Sequence, residues 1–79
     1  MRLRFVLSGS LVFEGTADCV PPVGATVVFV MQHYKKGMEP GTWVSATVTD
    51  DSAPQYDFTD PKEVVVTLDV DNFVTFDAA

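Results

Sequence analysis

The chain has 79 residues, 47% of them apolar, and a formal charge of −6. That length gives one domain, 1–79, which buries only roughly 60–65% of its unfolded surface. The single cysteine, Cys19, excludes an internal disulfide, and the acidic balance argues against nucleic acid as a general partner.

From Asp50 to Ala79 eight carboxylates stand against one cation, Lys62; the other cations are Arg2, Arg4, Lys35 and Lys36. Acidic side chains keep so apolar a chain dissolved. No run approaches the roughly 18 uninterrupted apolar residues of a membrane span. Met1–Arg4 followed by Phe5–Phe13 superficially resembles a signal peptide, but Ser8-Gly9-Ser10 interrupts the apolar stretch and Glu14 closes it. One unpaired cysteine fits a reducing compartment, so cytoplasmic residence is expected. Without disulfides or evident metal ligands, a domain this small is expected to gain stability as a homo-oligomer or with a protein partner.

In chain order, Leu3, Phe5, Leu7, Gly9, Leu11 and Phe13 share one parity, which reads as one long strand bent at Gly9, with a tight hairpin there as the alternative. Residues 15–24, containing Pro21-Pro22, form a loop. Ala25–Met31 is apolar on both parities and rich in β-branched residues, the pattern of a central strand covered on both sides or placed at a subunit contact. Gln32–Gly41 is a loose polar hairpin loop. Thr42–Thr49 alternates Val44, Ala46 and Val48 against Trp43, Ser45, Thr47 and Thr49. After turn chemistry at Asp50–Pro54 comes a short run, Gln55–Thr59, broken by Asp60-Pro61. Glu63–Val70 is a half-buried strand, Asp71-Asn72 a turn, Phe73–Phe76 a last strand, and Asp77-Ala78-Ala79 a frayed end. The sum is an all-β domain, a small antiparallel barrel or rolled sheet of five to six strands.

Pro22-x-Gly24-x-x-Val27 entering one strand, and Gly41-x-Trp43-Val44-x-Ala46-x-Val48 forming the next, resemble the turn-strand-loop-strand rhythm of SH3-like small barrels over about half the chain. The Ala-Leu-Tyr-Asp-Tyr segment and paired tryptophans of true SH3 domains are missing, so proline-rich peptide binding does not carry over. In size and style the chain is also similar to short uncharacterised bacterial proteins carried on mobile gene cassettes.

Catalytic chemistry has little to work with. His33 is the only histidine and Gly-x-Ser-x-Gly is absent, so no catalytic residue is assigned and no cofactor is expected. Cys19 reads as an inert, partly buried loop thiol rather than half of a Cys19–His33 pair. Asp69 and Asp71 share parity beside a turn, a weak oxygen cluster for a cation that lacks the rest of a calcium loop; a solvated strand end is the plainer reading. His33, Tyr34, Lys35 and Lys36 combine aromatic and cationic groups of the kind that hold nucleic acid, with Arg2 and Arg4 needed alongside. The plainer alternative is a solvated loop with Tyr34 folded over the barrel end. Trp43, on the polar side of its strand, reads either as a binding or subunit contact or as an end residue that folds inward in a rolled sheet. The resulting expectation is a non-enzymatic interaction module, self-associating or protein-binding. Alternatives are a nucleic-acid-binding barrel or one that holds a small molecule or cation.

Overall fold

A computed structural model describes residues 1–76, and Asp77–Ala79, expected to fray, lie outside the described residues. There are six strands: β1 Arg2–Leu7, β2 Ser10–Thr16, β3 Thr26–Val30, β4 Trp43–Val48, β5 Gln55–Asp57 and β6 Val65–Phe76. They make one curled sheet in the order β2-β1-β6-β4-β3, with β5 also on β6. The all-β, rolled-sheet expectation holds.

Three local readings are corrected. The N-terminal run is the tight hairpin, not one bent strand. Ser8 and Gly9 take φ of 50° and 82°, and Leu7 pairs with Ser10 across them. Positive φ at both central positions matches the right-handed twist of the flanking strands, which favours so short a turn. The Asp71-Asn72 turn does not exist either. Asn72, at φ 53°, sits where two β6 residues face one on β4, so the feature is a bulge in one continuous strand. Finally, pairing is not wholly antiparallel, because β1 and the first half of β6 run parallel, Arg2↔Val65 through Leu7↔Val70. The long path between these strands gives the chain room to return in the same direction.

The core lines the concave side of the sheet. Leu3, Phe5 and Leu7 sit beside Val66, Leu68 and Val70, and Val44, Ala46 and Val48 continue the layer, all at most 5% exposed. Among the described residues no charged or polar residue is buried with them. The curl brings β2 toward β3. There the rings of Phe5, Phe13 and Phe29 meet with centroids 5.3–5.6 Å apart, an apolar seam across the gap. Phe13 lies over Gly15, where an added Cβ would come within 2.6 Å of the ring.

Candidate interaction surfaces

Register sets the outer, convex face of β3, β4 and the end of β6. Val30 faces Trp43 and Trp43 faces Phe76; one step along, Val28 faces Ser45 and Ser45 faces Val74. Directly opposed residues share a face. Val28, Val30, Trp43, Val74 and Phe76 therefore form one apolar patch, with Val28 56% and Val74 62% exposed. Trp43 meets Phe76 edge-on at 5.8 Å. Among the described residues no charged side chain interrupts the patch before Asp71, paired with Thr47 at its far end. Trp43 thus points away from the core, as its parity indicates. Val74 and Phe76 were legible only as alternate positions of a short strand. Val28 and Val30 belong to an edge strand, so the covered-on-both-sides reading of Ala25–Met31 is corrected: only one face packs, through Phe29.

The Gln32–Gly41 loop does two structural tasks. The Gln32 side chain pairs with the Glu14 backbone as a strand would: Nε2 donates to the Glu14 carbonyl at 2.9 Å and Oε1 accepts from its N–H at 3.2 Å. Further on, Lys36 and Gly37 form a tight turn between Lys35 and Met38, and Met38 enters the core at 5% exposed. Tyr34, by contrast, is 66% exposed and not folded over the barrel end.

His33 and Lys35 do share a cleft of about 390 Å³ with Arg2, Glu14 and Gln32. Its arginine is already engaged. Arg2 Nη2 lies 2.7 Å from Glu14 Oε1, and Arg4 Nε donates to Glu14 Oε2 at 2.6 Å; Glu63 sits 3.6 Å from Arg2. The hydrogen bond from Arg2, then that from Arg4, holds the Glu14 carboxyl below its usual range, and Glu14 in turn raises Arg2. Lys36 donates to the Ser8 carbonyl at 3.5 Å.

Cys19 is exposed, which corrects the partly buried reading, since the proline loop carries it over the surface. Asp69 and Asp71 border a recess of about 120 Å³ with Asp51 and Thr49. Even so, no group of three or more ligating side chains able to hold a metal occurs among the described residues. A wider cleft of about 640 Å³, lined by Tyr56, Phe58, Lys62 and Glu63, was not foreseen; Tyr56 and Phe58 on one parity were its sequence signal. Among the described residues no helix is long and apolar enough to cross a membrane.

Comparison with known protein families, curated proteins and solved structures returns no match. The SH3-like rhythm accordingly rests on the residues quoted for it, and the likeness to gene-cassette proteins on size and style alone.

Proposed function

We propose that the chain is a non-enzymatic interaction module that associates with a second copy of itself through the outer face of β3, β4 and β6. The carrying observation is the patch of Val28, Val30, Trp43, Val74 and Phe76, in which the neutral Ser45 is the polar residue between Val28 and Val74. An acidic chain repels its own copies over most of its surface, and this neutral face is where two can approach. Side chains of this class expose roughly 150–250 Å² when free, so at the observed fractions the patch amounts to roughly 400 Å² per copy. Functional patches on monomers fall in this range. Two such faces bury roughly 800 Å² in total, below the roughly 1,200 Å² of stable specific interfaces, so the association is a weak, transient one. Cytoplasmic residence, suggested by the lone Cys19, is part of the same reading.

Sedimentation velocity across a concentration series tests this. Wild-type mass should rise above one chain in the micromolar range, and the double variant Trp43→Ser, Val74→Ser should stay at one chain. A wild type that remains a single chain up to millimolar concentration removes the reading.

A second reading has one observation in its favour: Arg2, His33 and Lys35 line a common cleft that a single strand of nucleic acid would fit. Glu14 competes for the arginines there. Titration with short single strands at low salt decides it, because electrostatic contacts are then strongest.

A further inference from the structure

The two edges of the sheet are treated differently. At the β2 edge, Val12 is the extra residue of a bulge, Glu14 projects a carboxylate, and the Gln32 side chain caps the Glu14 backbone. Bulges, charges and covers are the devices that stop an edge from pairing with another chain. Along Thr26–Val30 the β3 edge has none of them among the described residues; the crossing to β2 is made just past its end, by Gln32. Thr26–Val30 reads Thr-Val-Val-Phe-Val, carries no charge and no proline, and keeps a regular ladder to β4.

Hydrogen bonds at either end of β3 fix its phase. The Ala25 carbonyl accepts from the Val48 N–H, and Met31 donates to the Thr42 carbonyl. Narrow and wide pairs alternate along an antiparallel ladder. Val27 and Phe29 therefore spend their N–H and C=O on β4, while Thr26, Val28 and Val30 direct theirs to the open side. All three residues are exposed, and no backbone bond among the described residues uses those groups.

We propose that this open edge pairs antiparallel with the same edge of a second copy, about a twofold axis at Val28. In that register Val28 faces Val28 of the other copy and Thr26 faces Val30, so each outward N–H meets an outward carbonyl. Neither β3 nor its neighbour β4 bears a charge, so the approach meets no like-charge opposition from either strand. The pairing is isologous and closes on itself. It rests on the reading that the chain self-associates and gives that assembly a second contact. With the twofold axis normal to the sheet, the two Trp43 faces lie side by side on one continuous sheet, so edge and face engage different copies.

Residue-resolved hydrogen exchange on the full chain, run alongside sedimentation, tests it. Amides of Val27 and Phe29 should be protected at every concentration. Those of Thr26, Val28 and Val30 should slow at least about tenfold only where assembly is seen. Assembly with these three amides still exchanging at their dilute rate overturns the edge pairing and leaves the outer-face reading standing. A mass fixed at one chain overturns both. Thr26→Pro removes an outward N–H without touching the ladder to β4 or the patch around Trp43, and should weaken assembly at least about tenfold with β content unchanged. If that variant does not fold, the exchange rates decide alone. Undiminished assembly in the folded variant also overturns the pairing.

Discussion

Replacing Gly15 by alanine tests the aromatic seam. Gly15 lies inside β2 with no positive φ, so its backbone suits alanine, and such an exchange ordinarily stabilises by about 0.4–1 kcal/mol by restricting the unfolded chain. Here the new methyl would sit 2.6 Å from Phe13 Cζ and 2.9 Å from Cε2. An isolated ring would swing aside at little cost. Phe13 is held between Phe5 and Phe29, at 5.3 and 5.4 Å, so displacing it disturbs both contacts and loosens β2 from β3. Overpacking of this kind costs about 1–3 kcal/mol. For a domain of this size that is a fall in Tm of roughly 5–20 °C. Thermal unfolding followed by far-ultraviolet circular dichroism reads it directly. Phe13→Leu, which shortens the ring away from Gly15, should abolish the penalty in the double variant. If Gly15→Ala is as stable as the wild type or more so, the seam does not constrain Phe13 and the reasoning fails.

Removing the Gln32 side chain leaves the Glu14 backbone unpaired at the β2 edge. Gln32→Ala should cost about 1–2 kcal/mol in urea unfolding, and an unchanged midpoint would mean that the pair contributes nothing. Acid should destabilise the fold partly through Glu14. Its folded value is lowered, so its contribution is complete above the ordinary carboxylate value of 4.5 and is lost as pH falls through the lower folded value. Denaturation at a series of pH values should therefore show a shallower acid loss for Glu14→Gln than for the wild type. Identical slopes would contradict the arginine pairing.

How much of this was legible follows from particular residues. Val44, Ala46 and Val48, and Val66, Leu68 and Val70, alternate without interruption, and all six are core. The hairpin at Ser8-Gly9 was concealed by two shifts that cancel. A two-residue turn moves the inward face from odd to even positions, and the bulge at Val12 moves it back, so Phe13 is inward again and only Leu11, 41% exposed, betrays the change. Asn72 carries the same local preference for positive φ in a bulge as in a turn, so Asp71-Asn72 alone does not choose between them. Parity put Trp43 on the outer face. That β3 is an edge depends on strand order, which is decided by long-range pairing such as that of β1 with β6. Met38 lies in a polar stretch without periodicity, and only the tight turn at Lys36-Gly37 directs it inward.

Trp43 is the only tryptophan and sits in the proposed contact, so its emission reports on that contact alone. On dilution through the micromolar range, its emission maximum should move to longer wavelength as the face becomes wet, with a midpoint matching the change in mass. An emission maximum that stays fixed while the protein passes from assembled to single chains would place the contact elsewhere and contradict the account.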